Sequence, residues 1–535
     1  MHMTPIEVPP DVARITEGLR DTGYDFNTAV ADVIDNSIAA GANVIDVRIA
    51  ADFVGDILIS VADDGVGMDQ DGLINAMKYG SKRRPHAKSL GKFGLGLKTA
   101  STAFCKRLTL VSRHVAGGKP LKATWDLEEM AAANSWSLLL DTPSVDELRL
   151  LDSVAPSHSG TVVLWEKVDR LLEGYKDKQG RPFKKALDRV AAALGEHIAL
   201  VYQRFLDPSD TREKTCEIRV NGQAIRPWDP FCLNETKEPV ARQELEVELN
   251  GGQRTKFLVR AFILPRKEEF SSDEARVEAR ISNERQGVYV YRENRLIHGP
   301  DWMGMFKQEP HYSLLRVELS FDHTLDDAFQ VDIKKSRIQL NEALYEWLRD
   351  KFLTGPRREA EVRYRRGAAS LAKGTAALLH TPSSNVIHQK APGLSTPTVQ
   401  VVDPSSGKVE VSNKSGKTTA TIRIVDPQVP AGVYVVTADS LENGALWEPT
   451  YAAKGPAVSL NLGHPYYTKA YLPNKANSIV VQALDYMLWA LANAELNNLN
   501  DDNKDAFEEF RIEVSRNLKK LVADLPDPPT EPSEA

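Results

Sequence analysis

Cysteine is nearly absent: the chain has 3 in 535 residues, at Cys105, Cys216 and Cys232. They lie far apart with no paired spacing, which supports neither a disulfide framework nor a zinc site. Long apolar runs are missing as well. Nothing approaches a membrane span, and the opening MHMTPIEVPPDVAR has no apolar signal segment, so a cytoplasmic protein is expected. Nor is there a large charge excess. Lys+Arg total 67 against 74 Asp+Glu, a net charge of −7, which does not announce a polyanion-binding surface. What is there is a globular composition, 42% hydrophobic, in a chain long enough to bury several domain cores.

Two aspartate-bearing segments and one glycine segment stand out near the start: ADVIDNSIAAGA at 31 to 42, VADDGVGMD at 61 to 69 and GKFGLGLKTAS at 91 to 101. The first is alanine-rich and lacks proline, and Val30, Ile34 and Ile38 make one apolar stripe, which predicts a helix. At about 100° per residue, Asp32, Asp35, Asn36 and Ala39 gather on another face. A carboxamide oxygen is a hard ligand for magnesium, and a neighbouring carboxylate can activate water. Taken alone, the same pattern also describes a helix with a solvated polar face. In the second segment an apolar strand, Ile57 to Ala62, ends in Asp63-Asp64-Gly65-Val66-Gly67. A strand-end carboxylate can accept from an exocyclic amine, and the glycines let backbone approach a flat base. The third segment sets Gly91, Gly94 and Gly96 before a helix start, with Lys92 and Lys98 as nearby cations. Its amides suit phosphate oxygens, but it is not a Walker loop, since no G-K-[ST] follows at the required spacing.

In this order and spacing the segments resemble the N, G1 and G2 boxes of the GHKL ATPases, the superfamily of gyrase, heat-shock chaperones, histidine kinases and MutL. SGTVVL at 159 to 164 resembles the family's late G-T strand. The resemblance covers roughly residues 10 to 190. It implies ATP and Mg2+ as ligands, with Asp32 activating water, Asn36 coordinating magnesium, Asp63 binding the adenine amine and Thr161 supporting Asp63. Gly65, Gly67, Met68, Gly91, Phe93, Gly94, Leu95 and Gly96 would shape the pocket and its lid, and Lys82 and Lys98 would face phosphate. Residues 69 to 90 read either as a mobile lid or as a solvated loop. Most hydrolysing members carry glutamate where this chain has Asp32, so slow turnover is expected. An acidic residue often stands where this chain has Ala39, which weakens Asp35 as an auxiliary ligand.

Downstream, a helix is expected from Lys185 to Leu206, followed by CEIRVNG at 216 to 222 and a hairpin over 244 to 264 across Asn-Gly-Gly. GVYVYRENRLI at 287 to 297 resembles the strand, turn and strand of the transducer domain in MORC and MutL-type ATPases. By itself, Arg295 in that string reads as an ordinary surface arginine beside a turn. Those families send a transducer lysine into the phosphate site, and in FQVDIKKSRIQL at 329 to 340 the spacing favours Lys335 as a catalytic residue.

The expected fold is α+β: a Bergerat-fold α/β sandwich ATPase domain over 1–190, an α/β transducer over 191–366, a linker over 367–416, a mixed α/β domain over 417–524 and a disordered tail over 525–535. Lys351, Arg357, Arg358, Arg363, Arg365, Arg366 and Lys373 form a basic stretch that is either a DNA contact or a solvated helix. His464 reads as structural. The domain order suits a homodimer that closes as an ATP-driven clamp on DNA, in repair or defence. A chaperone-like ATPase acting on protein clients and a nucleotide switch with little turnover are the alternatives. A histidine kinase fits poorly, because too little chain precedes Asn36 to supply a phosphoacceptor helix. The D-Q-H-A-x-x-E motif of nicking MutL proteins is missing.

Overall fold

The computed structural model describes residues 11–21, 23–80, 96–248, 254–326, 329, 342–425, 432–452, 455–500, 503–523 and 525, with backbone alone at 365–377 and 442. The chain divides into two compact units, Met1–Glu309 with Ser313–Arg357, and Pro310–Tyr312 with Arg358–Ala535.

The first unit is built on an eight-stranded sheet. Its strands are β1 Val44–Ala51, β2 Ile57–Asp63, β3 Cys105–Arg113, β4 Leu121–Asp126, β5 Leu139–Asp141, β6 Gly160–Val168, β7 Glu217–Val220 and β8 Gln223–Ala224. Their order is β5-β4-β3-β6-β2-β1-β7-β8. The helices α1 Val12–Arg20, α2 Phe26–Ala39, α3 Gln70–Met77, α4 Gly96–Thr102, α5 Leu127–Ala133, α6 Val145–Asp152, α7 Arg181–Val201 and α8 Gln203–Leu206 accompany it. Side chains alternate across the strands with the period of two that a pleated sheet imposes. Val61, Leu110 and Val163 pack with Val30 and Ile34 of α2 and with Leu194 and Ile198 of α7. Their sequence neighbours Ala62, Val111, Val162 and Leu164 pack on the opposite face, with Leu151 of α6. This is the expected α/β sandwich.

Two expectations shift in detail. The helix expected over 185–206 is two elements, α7 and α8, joined at Tyr202. CEIRVNG, expected within the transducer over 191–366, belongs to the first sheet: β7 pairs in parallel with β1, so that sheet extends to Ala224. The reason is visible in the register, where Ile218 and Val220 face the same core as Ile45 and Val47.

The second sheet of this unit holds β9 Ala241–Glu248, β10 Arg254–Ile263, β11 Gly287–Arg292, β12 Arg295–Asp301 and β13 Leu315–Phe321, in the order β12-β11-β13-β10-β9. Both expected hairpins are present. In the β11–β12 turn, Glu293 and Asn294 have φ of 45° and 62°, the left-handed pair that a two-residue hairpin turn demands. The short helices α9 Leu233–Thr236, α10 Asp273–Glu278 and α11 Glu342–Trp347 belong to the same unit.

The helix α12, Thr354–Leu379, carries the basic stretch apart from Lys351, which precedes it. In the second unit, α13 Thr381–Lys390 precedes a three-stranded sheet of β14 Thr398–Asp403, β15 Lys408–Asn413 and β16 Gly416–Thr421. A four-stranded sheet follows, β17 Arg423–Ile424, β18 Val435–Ala438, β19 Trp447–Ala452 and β20 Gly455–Asn461, ordered β17-β19-β20-β18. The helices α14 Ser478–Leu496 and α15 Lys504–Leu521 complete it. His464 is buried, with Nε2 3.1 Å from the Ser515 carbonyl oxygen and Nδ1 accepting from the Tyr466 amide, a structural role as expected. Burial lowers its basicity.

The linker expected over 367–416 is not there. That stretch contains the end of α12, all of α13 and the β14–β15 hairpin. Two of its small polar residues, Ser383 and Ser384, are buried hydrogen-bonding groups. The Ser384 hydroxyl accepts from the amides of Tyr434 and Val435, both at 3.2 Å, and the Ser383 hydroxyl donates to Asp485. Val399, Val409 and Val411 form a small core of their own. Among the described residues no helix is long and apolar enough to cross a membrane.

Limited trypsin digestion of the native protein is expected to spare Lys390 and Lys408, because backbone paired in a folded element resists entry into a protease. Early cleavage at either position, read by mass spectrometry, would return this stretch to a linker.

Candidate functional site

Asp25 starts α2 by accepting from the Thr28 amide at 3.1 Å, and the buried stripe of the helix then fixes its rotation. Asp32 and Asn36 lie one turn apart, about 40° around the axis. The Asn36 amide nitrogen donates to the Asp32 carbonyl oxygen at 2.8 Å, which sets the direction of the carboxamide. The Asp32 carboxylate is nearly buried and accepts from the Tyr24 hydroxyl at 3.0 Å. A Cβ built on Gly96, at the start of α4, would come within 3.3 Å of the same carboxylate oxygen. The first and third sequence segments therefore meet at Asp32.

Asp35 does not join them. It sits about 60° from Asp32 on the side away from Asn36, and it is buried against Tyr202 and Arg295, which lie 2.7 Å away. This corrects the grouping of Asp35 with Asp32 and Asn36. The reading of Arg295 as a surface residue fails for the same reason, since its side chain is only 4% exposed.

The second segment reaches α2 through Asp63, the last residue of β2 and almost wholly buried. Ser37 donates to its Oδ2 at 2.7 Å, and the Gly65 amide donates to Oδ1 at 3.0 Å. Burial pushes the Asp63 carboxyl up to about 6, and the bonds from Ser37, Gly65 and the Thr161 backbone hold it from rising further. Thr161 stands opposite Asp63 on β6, and its hydroxyl lies 2.9 Å from that of Ser112. Ser112 in turn accepts from the Met68 amide at 2.8 Å. Residues from β2, β3 and β6 are thus tied to the segment that follows Asp63. Asp64 does different work: it accepts from the amides of Asn43 and Val44 at 2.6 and 2.8 Å, bracing the entry to β1.

The glycines of this segment answer to the protein's own backbone. A Cβ on Gly65 would lie 2.8 Å from Ala40 Cβ, and one on Gly67, where φ is +64°, would lie 2.0 Å from the Arg113 carbonyl oxygen. They let the turn lie flat against the end of α2 and against β3.

Lys98 is buried in α4 and donates to the Ala76 carbonyl oxygen, at 3.1 Å, near the end of α3. The segment expected as a lid begins with that ordered helix, which Asp69 caps. Lys82, Gly91, Phe93, Gly94, Leu95 and Lys335 lie outside the described residues. Sequence reasoning missed Tyr24, Ser37 and Ser112. Ser37 had one available signal, its place directly after Asn36 and so about 100° around the helix. Tyr24 and Ser112 had none.

These groups suit a purine nucleotide with its magnesium. Asp63 is a shielded acceptor at a strand end for an exocyclic amine, and Asn36 offers an amide oxygen of the kind magnesium takes.

Residues 24–161 match the family model of histidine kinase-, DNA gyrase B- and HSP90-like ATPases. The mouse ATPase MORC2B is 35% identical over 89 residues, which is 16% of this chain and 9% of that protein. Human ATPase MORC2 is 32% identical over 89 residues, again 16% of this chain and 9% of the relative. The chain therefore matches about a tenth of the length of these curated relatives. A crystal structure of the N-terminal domain of a DNA repair protein is 17% identical, covering 68% of this chain and 100% of its own, with a TM-score of 0.36. The matched segment and the architecture around it make residues 24–161 an ATPase domain of the GHKL superfamily, with MORC ATPases among its similar proteins.

Proposed function

We propose that this chain binds ATP with magnesium in the pocket framed by Asp32, Asn36 and Asp63, hydrolyses it slowly, and uses the nucleotide to close a homodimer as a clamp on DNA or a DNA-associated complex. The observation that carries the reading is the convergence on one helix: Asp32 and Asn36 lie on α2, and Ser37 beside them holds Asp63. Asp63 accepts the adenine amine. Asn36 would hold a magnesium ion through its amide oxygen, and the ion would supply positive charge to offset the phosphates. Asp32 accepts a proton from the attacking water, and Tyr24 sets the carboxylate's direction. Gly65, Gly67, Gly96, Met68, Lys98 and Thr161 complete the pocket. Phe93, Leu95, Lys82, Gly91, Gly94 and Lys335 are assigned to it by resemblance to the family. The DNA proposal is supported by the basic stretch on α12 and by the MORC likeness. A nucleotide switch is the second reading, favoured by the short Asp32 side chain and its restraint by Tyr24.

Asn36→Ala is expected to abolish magnesium-dependent binding in calorimetry. Asp63→Asn is expected to weaken ATP roughly 10- to 100-fold, the worth of a hydrogen bond to a charged group. Unchanged affinity in both would reject the site. Asp32→Ala should spare binding and cut turnover by about 10²-fold or more, and Tyr24→Phe should lower kcat with affinity retained. Phosphate release at the parent rate from Asp32→Ala would require another base.

Because the Asp63 carboxyl titrates near 6, its ionised form accepts the adenine amine above that pH and is lost below it. ATP affinity is therefore expected to fall as pH drops through about 6, and Asp63→Asn should remove that step. An inflection that survives in the variant would assign it elsewhere.

With a non-hydrolysable ATP analogue, light scattering should show a monomer becoming a dimer, or an existing dimer compacting. ATPase should rise with DNA and fall steeply with salt. Neither change would leave the switch; suppression of client aggregation without a DNA response would favour a chaperone.

A further inference from the structure

We infer that Arg295, with Tyr202, is a positioning residue of the nucleotide site, acting through Asp35 to hold α2 in register with the second sheet. The inference rests on the ATP-site reading above and adds to it a route by which the second sheet acts on that site.

Asp35 projects from α2 between Asp32 and Asn36 in sequence but on a different face. Arg295 Nε donates to its Oδ1 at 2.7 Å, and the Tyr202 hydroxyl approaches the same oxygen at 2.7 Å. That hydroxyl is also 2.6 Å from the carbonyl oxygen of Ala31, the residue just before Asp32. The guanidinium lies 5.7 Å from the Tyr202 ring centre. Burial works against the charge on Arg295, and Asp35, Tyr202 and Asp32 favour it.

The other ends of this cluster are equally fixed. Arg295 follows the β11–β12 turn directly. Tyr202 marks the joint between α7 and α8, and two residues on, Arg204 lies 3.6 Å over the Tyr291 ring of β11 and pairs with Glu318 of β13 at 2.9 Å. Arg204 also donates to Asn294, the turn residue beside Arg295, at 3.1 Å. The contacts form a closed circuit from α2 to the hairpin turn, to the α7–α8 joint and back to α2.

A buried ion pair is a poor device for stability alone, because apolar residues of similar volume do as well or better. What it adds is direction. Asp35 has donors at fixed positions, so displacing the β11–β12 hairpin rotates or shifts α2, and Asp32 and Asn36 move with it. Placing a nucleotide against Asn36 then biases the hairpin in return, as linkage requires.

The test is amide hydrogen exchange on the full chain with and without a non-hydrolysable ATP analogue, in the parent, Tyr202→Phe and Arg295→Met. Tyr202→Phe deletes a single oxygen, so it remains informative should Arg295→Met fail to fold. In the parent, the analogue should slow exchange in α2 and in residues 287–301. In both variants, protection of α2 should persist while that of 287–301 is lost, with kcat falling and ATP affinity retained. Arg295→Lys, which keeps charge but not the fork, should restore part of the hairpin response. Protection of α2 without protection of 287–301 in the parent would overturn the coupling and leave the nucleotide site standing. The same holds for hairpin protection that is unchanged in the variants. Protection of neither segment in the parent would overturn both.

Discussion

A carboxylate taken out of water must be given donors, and Asp63 is where that demand organises the molecule. Its donors come from a helix, Ser37, and from its own turn, Gly65, while Thr161 faces it from the next strand. Meeting that need draws the end of β2 against the C-terminal half of α2. The glycines that follow are small because that turn must fit between α2 and β3. The apolar core supplies most of the stabilisation, as in any sandwich of this kind. The buried carboxylate supplies alignment: it sets which residues of α2 end up beside which residues of the sheet.

The same helix must satisfy a second buried acid on a different side. Asp35 turns to Arg295 and Tyr202 while Asp32 and Asn36 turn to the candidate pocket. With Val30 and Ile34 packed on the sheet, α2 has little freedom to rotate or slide without breaking a polar contact on one side or an apolar one on another. Its sequence looks simple, alanine-rich with a few acids, yet its sides carry separate obligations.

Much of this was legible in the residues, and the failures have identifiable causes. Periodicity gave α2 and alternation gave the β9–β10 hairpin, because both patterns depend only on which face is buried, while the β11–β12 hairpin came from resemblance to the transducer string. Asp63 was visible because an apolar strand ended in it. Asp35 was misplaced because helical phase alone does not say where one polar face stops when a second partner waits nearby. Arg295 was hidden because nothing local marks an arginine whose carboxylate lies 260 positions away in the chain. The β14–β15 hairpin was read as linker since serine, threonine and lysine carry no apolar signal, even though Val399, Val409 and Val411 alternate correctly.

The parallel pairing of β7 with β1 bears on how this protein can be divided. Polypeptide leaves the first sheet after β6, runs through α7 and α8, and comes back to lie along the outer side of β1. A fragment ending near residue 190 would strip that side of its partner and bare a row of amides and carbonyls, the sort of open flank along which chains stick to one another. Cutting beyond Ala224 keeps the flank sealed, so the minimal unit that folds cleanly is longer than the stretch bearing the family motifs.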